Sequence, residues 1–191
     1  MIKKTKGQKS KDKILDISLE LFTKNGYAQT SAQEIADLCG ISQTTVFYHY
    51  KNKKILFENV LKQVIRNNRE YVTHHSTNQD HNLSSFEQLI VLLESNINWA
   101  FNHPRDAQVL IMLFNFATSD DDFKVLATET IDAGRLLVFD ALNLIDQEDK
   151  INSLFTKEEL SVIIQQYVNG VIFQMLARND KNVVNHMFNV T

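Results

Sequence analysis

"SAQEIADLCGISQTTVFYHYKNKK", residues 31–54, decides the fold. Ser31 and Glu34 stand at capping-box spacing, the Ser oxygen taking the amide three residues on and the Glu reaching back to the cap. Ile35, Ala36, Leu38 and Cys39 supply the apolar side of a helix that Gly40 ends. After Ile41, Ser42 caps a second short helix, Gln43 to about His49. Two short helices joined by a Gly-containing turn predict a helix-turn-helix. The second helix of such a unit enters the major groove with its N-terminal side chains on base edges. Here those are Gln43, Thr44 and Thr45. Gln pairs bidentately with adenine, and Thr bonds an edge or touches a thymine methyl. Val46 then points back to the core.

On the N-terminal side, "KDKILDISLELFTKNGY", residues 11–27, predicts a preceding helix. Ile14, Ile17 and Leu21 share one face, with Leu15, Leu19 and Phe22 beside it, and Gly26 stops it. On the C-terminal side a fourth helix is expected from near Asn52 to about Tyr71. Its stripe is Ile55, Leu56, Val60, Leu61, Val64 and Ile65. Lys53 and Lys54 fall in its first turn, where cations oppose the helix dipole by roughly 0.3–1 kcal/mol. That placement is reasonable where an anion is to be bound. It is equally that of a solvated lysine cluster. "HHSTNQDHN", residues 74–82, reads as a loop.

The remainder reads as helices only. Capping boxes at Ser84/Glu87 and Thr156/Glu159 open two of them. Pro104 opens a third, and Asp120 to Asp122 sit at the favourable N-terminal end of a fourth. A last short helix carries Val183, Val184, Met187 and Phe188. The 191 residues hold 5 Gly and 1 Pro, too few breakers for a turn-rich fold. The expected class is all-α: a helix-turn-helix domain over 1–55, helix four bridging 52–72, and a larger helical domain over 56–191.

Charge divides along the same line. Residues 1–55 hold ten Lys against five acids, a balance of +5, while 56–191 balance at −8, for a net −3. A small basic part on an acidic body suits a polyanion partner, or is a solvated tail. One cysteine, Cys39, excludes an intramolecular disulfide and fits a reducing compartment. No run nears the ~18 apolar residues of a membrane span, and the basic start lacks an apolar h-region. A cytoplasmic chain with no membrane association is expected. His74, His75 and His81 lack metal-ligand spacing. No nucleophile–base–orienter set or phosphate-cradling loop is visible. No cofactor, metal or enzymatic activity is expected.

Residues 21–61 closely resemble the DNA-binding domain of TetR-type transcriptional regulators. Phe22, Gly26, Tyr27 and Ser31 carry the likeness, with Ile35, Ala36, Gly40, Ile41 and Ser42, then Tyr48, His49, Lys53 and Leu56. The resemblance implies phosphate contacts from Ser31, Tyr48, His49 and Lys53, with Gln43, Thr44 and Thr45 reading bases. Three positions depart from the family. Thr44 replaces the usual Gly at a close backbone approach. Phe47 replaces a Tyr and lacks its hydroxyl. Tyr50 replaces a Phe and keeps a packing role.

The resemblance also implies a homodimer on a palindromic double-stranded DNA operator, its subunits joined through the last two helices, roughly 157–178 and 180–189. Ile164, Tyr167, Val168, Val171 and Met175 form the candidate interface stripe. The same stripe would serve as an intramolecular core face. It further implies a small-molecule effector, apolar or amphipathic, that releases a repressor. Trp99, His103, Met112, Asn115, Phe116 and Phe139 are candidate pocket residues, and each is as well suited to a plain core. The alternative is a body that binds a protein partner instead.

Overall fold

The structure, a computed structural model, describes residues 5–77, 83–145 and 154–178. These residues form eight helices and no strand. Helix α1 (Lys6–Asn25) begins where the Thr5 side chain accepts the Gln8 amide, and stops at Gly26, φ 86°. In α2 (Ala32–Cys39) the Ser31 side chain accepts the Glu34 amide, and Gly40 closes the helix at φ 69°. The box is half-formed, because Glu34 Oε1 instead accepts Asn25 Nδ2 at 3.0 Å. Helix α3 spans Gln43–His49, the expected range.

Helix α4 (Lys53–Thr77) starts with Asn52 Oδ1 accepting the Ile55 amide at 2.8 Å. It continues past Tyr71, so residues 74–77 are helical rather than loop. Their polar side chains carry no apolar period, which hides a solvated helix end from sequence pattern. Contacts one turn apart support it: His75 stacks on Tyr71 with centroids 3.8 Å apart, and His75 Nδ1 lies 2.8 Å from the Tyr71 carbonyl.

Then come α5 (Ser85–Asn102), with its full Ser84/Glu87 box, and α6 (Pro104–Phe116), with Pro in its first turn. Helix α7 (Asp121–Asn143) is capped by Asp120. Helix α8 (Lys157–Arg178) opens with reciprocal Thr156–Glu159 bonds. The expected helix over 180–189 and His81 lie outside the described residues.

The core is continuous. Ile14, Phe22, Ile35 and Val46 from α1–α3 join Leu56, Phe57, Leu61 and Val64 of α4. These in turn meet Trp99, Leu113, Phe123 and Met175. Helix α4 is thus a shared wall between the first three helices and the rest.

Helix α8 turns most of the expected interface stripe inward. Val168 and Val171 are buried with Ile97, Ile164 packs beside Leu89, Val138 and Leu142, and Met175 sits in the main core. Four of the five residues therefore pack within the chain, and of the five Tyr167 alone is exposed, at 55%. The opposite side of α8 carries exposed Val162, Ile163, Tyr167 and Phe173. The helix is apolar nearly all round, so periodicity could not tell its inner side from its outer one. An 18-residue window of α8 has mean hydropathy 1.3, which by length and composition alone would also suit a membrane span, and 22% of that window is buried.

Candidate nucleic-acid interface

Helix α3 presents a sorted surface. Val46 is fully buried and Tyr50, just past the helix, is 6% exposed, so both anchor the helix from behind. Gln43, Thr44 and Tyr48 are exposed, Tyr48 at 84%. Ser42 pins the start, its Oγ accepting the Thr45 amide at 3.1 Å and lying 2.8 Å from Thr45 Oγ1. The Thr45 hydroxyl is therefore engaged locally, which leaves Gln43 and Thr44 as the freer pair at the N-terminal end. Phe47 is 37% exposed.

Tyr50 carries the added hydroxyl. Its OH donates to the Lys11 carbonyl at 3.5 Å, tying α3 to α1. Burial, and secondarily Asp12, push its pKa up to about 12. His49 is half-buried between Tyr48 and Tyr50, its ring 5.3 Å and 6.5 Å from theirs. Cys39 is buried, and burial raises its thiol pKa, the character of an inert packing residue.

The lysine pair of α4 departs from expectation. Lys53 Nζ donates to the carbonyls of Tyr27 (2.9 Å), Ala28 (3.2 Å) and Thr30 (3.1 Å), above the Tyr27 ring. An ammonium has three protons, and here all three have protein acceptors. Thr30 Oγ1 completes the turn with bonds to the Leu21 and Gly26 carbonyls. Lys53 is thus the clasp of the turn that delivers Ser31 to the start of α2, rather than a free phosphate ligand. Lys54 has found its anion within the chain: its Nζ lies 2.8 Å from Asp120 Oδ2 and 2.7 Å from Asp122 Oδ2. Sequence reasoning missed Asp120 and Asp122 as partners, and their 66- and 68-residue separation from Lys54 leaves no local signal.

The six pocket candidates divide. Trp99, 3% exposed, stacks on His103 at 5.9 Å, and His103 meets Tyr71 at 5.6 Å. Phe116 belongs to another group, with Tyr27, Phe57 and Phe123. Met112 and Phe139 are half-buried and Asn115 is exposed. Two open clefts, about 660 and 590 Å³, lie elsewhere. The first runs between α1 and α4 past Asp12, Lys13, Asp16 and Arg66; the second lies by Ser31, Gln33 and Leu38. Asp106, whose carboxyl pKa burial pushes up, lines neither.

An all-helical chain with a helix-turn-helix at its N-terminal end, its reading helix exposed on one side, defines the class. Residues 14–60 match the family model of the bacterial regulatory proteins, tetR family. Over those residues the chain is similar to that family's helix-turn-helix domain. It is 47% identical over 51 residues to the HTH-type transcriptional regulator QacR of Staphylococcus aureus, 27% of each chain, so it spans little more than a quarter of that relative. A Saccharomonospora viridis protein in complex with choline has the same fold, with TM-score 0.80, 18% identity, and 94% and 91% of the two chains covered. A TetR transcription regulator from Haloarcula marismortui gives 0.79 at 17%, over 93% and 92%. At such identities the likeness is one of fold.

Proposed function

We propose that the chain is a dimeric, sequence-specific DNA-binding regulator of the TetR type, acting as a repressor. The observation that carries this reading is the sorted surface of α3: Gln43 and Thr44 free at its start, Tyr48 exposed, Val46 and Tyr50 buried behind. Residues up to about 55 form the reading head, α4 bridges, and the rest is the body. Gln43 and Thr44 read base edges, with Thr45 adding its methyl group. Tyr48, His49 and Ser31 contact phosphates, a salt-sensitive and sequence-blind contribution. Lys53 acts through the turn it clasps. Thr44 adds bulk at the close approach, and Phe47 contributes apolar surface without a phosphate bond.

The two-fold symmetry of a palindromic operator calls for paired heads. The outer face of α8, with Ile163, Tyr167 and Phe173, supports an interface there in place of the stripe first expected. An unpartnered apolar face also favours the second reading, in which the body meets a protein partner. An effector role draws support from the fold-relative that holds choline. A small molecule that binds one head spacing better than another would shift the population away from the operator-competent form. A reader of chromosomal DNA of this kind works in the cytoplasm.

The test is selection of genomic fragments by the full chain, followed by titration of the selected site. Gln43→Ala should lose discrimination against a changed base pair by roughly 1–3 kcal/mol while keeping its affinity for random DNA. Equal loss on operator and random DNA would contradict the division of labour.

A further inference from the structure

We propose that Lys54, Asp120 and Asp122 form an ionic latch that sets the angle of the reading head on the body. This rests on the reading of the first three helices as a DNA-reading head and concerns its regulation.

The latch joins α4 at its first turn to α7 at its start. Lys54 Nζ lies 3.0 Å from Asp120 Oδ1, 2.8 Å from Asp120 Oδ2 and 2.7 Å from Asp122 Oδ2. Its ammonium also sits 5.4 Å from the Phe123 centroid. The placement is locally unfavourable twice over. A cation in the first turn of α4 opposes that helix's dipole, and the same cation faces the N-terminus of α7. Local rules broken at one point, and satisfied only by a distant partner, mark a junction selected for something other than helix stability. The carboxylates supply the satisfaction. Hydrogen bonding to Asp120 and then Asp122 raises the Lys54 pKa, and Lys54 in turn lowers that of Asp120.

Beneath the latch lies a pivot. Tyr27 from the α1–α2 turn, Phe57 from α4, Phe116 from α6 and Phe123 from α7 meet with centroids 5.0, 5.1, 5.2, 5.6 and 5.7 Å apart, Phe22 included. Phe57 meets Phe116 and Phe123 at 83° and 73°. Edge-to-face ring contacts have a preferred geometry, and the charge-assisted ion pair adds a second, salt-sensitive one beside them. Two looser ties bind α6 to α1: Arg105 to Glu20 at 3.9 Å and Gln108 Nε2 to the Thr23 carbonyl at 3.4 Å.

Asp120 lies four residues past the last residue of α6, and its backbone amide donates to the Phe116 carbonyl at 3.0 Å. A shift of α6 therefore carries Asp120 with it and loads or releases the first turn of α4. The side chains of Lys54, Asp120 and Asp122 are 37%, 31% and 72% exposed, so water and salt reach the pair and it is built to open.

The test measures head-to-body distance in the full chain by spin labels at Gln33→Cys and Glu129→Cys on a Cys39→Ala background, diluted with unlabelled chain. Both label sites are exposed and outside the latch. Low salt should give one narrow distribution. About 1 M salt, or Lys54→Gln at any salt, should broaden it about twofold, with Lys124→Gln as a charge-matched control that does not. Unchanged distributions for Lys54→Gln overturn the latch. On the selected operator Lys54→Gln should weaken binding about tenfold and leave random DNA binding unchanged; equal binding to the operator also overturns it. If no variant binds DNA selectively while the distances still respond, the function reading fails and the latch stands.

Discussion

At the first turn of α4, two adjacent lysines do separate things. Lys53 closes a turn on three carbonyls, and Lys54 reaches an acidic pair across the molecule. In sequence Lys53 resembled a phosphate ligand and Lys54 a cation beside it, because a cation at a helix start signals an anion without saying whose. Lys53→Met should destabilise the chain by about 1–3 kcal/mol through unsatisfied carbonyls. It should leave the slope of log affinity against log salt unchanged. A phosphate contact would instead reduce that slope by about 0.9, so titrations across salt, with melting curves, check the assignment. Ser18 offers a second residue-scale test. Its side chain is fully buried in α1 and its hydroxyl has no hydrogen-bond partner among the described residues. Ser18→Ala removes that hydroxyl and improves helix propensity, and should stabilise the chain by about 1 kcal/mol. Denaturant unfolding reads this directly, and a loss of stability would give the hydroxyl an unrecognised role.

Elements were legible where their ends carry chemistry. Ser31, Ser42, Ser84 and Thr156 each mark a helix start that the structure confirms by a side-chain bond to the amide three residues on. Gly26 and Gly40 end α1 and α2 at positive φ, where a side chain would be strained. The end of α4 was not legible, because its last turn is polar on every side and has no period. Nor was the inner face of α8. Tyr167 and Val168 are neighbours between Gln166 and Asn169, and only the packing of α5 decides that Val168 is buried and Tyr167 exposed. This gives an element-scale prediction. Tyr167→Asp should convert a dimer to a folded monomer in sedimentation, whereas Val168→Asp should unfold the chain by burying an unpaired charge. The opposite pattern would restore the first stripe as the interface.

Over the whole molecule, the head was readable and the body was not. Residues 31–54 combine caps, a Gly turn and an outward-facing polar start, each constrained by local geometry. The body's aromatics are constrained only by one another: Trp99 and Phe116 looked like one pocket in sequence and belong to different ring groups in space. The ion pairs and the shared core through α4 tie the first three helices to the rest, which is the coupling the proposed regulated DNA reader would need. The central claim is that α3 reads DNA sequence through Gln43 and Thr44. The most direct measurement is the affinity of the wild-type chain and Gln43→Ala for the selected operator and for random DNA at matched salt. The wild type should prefer the operator by at least about a hundredfold, within the range of specific readers, and the variant should lose much of that preference at unchanged random-DNA affinity. A wild-type chain that binds both DNAs equally would contradict it.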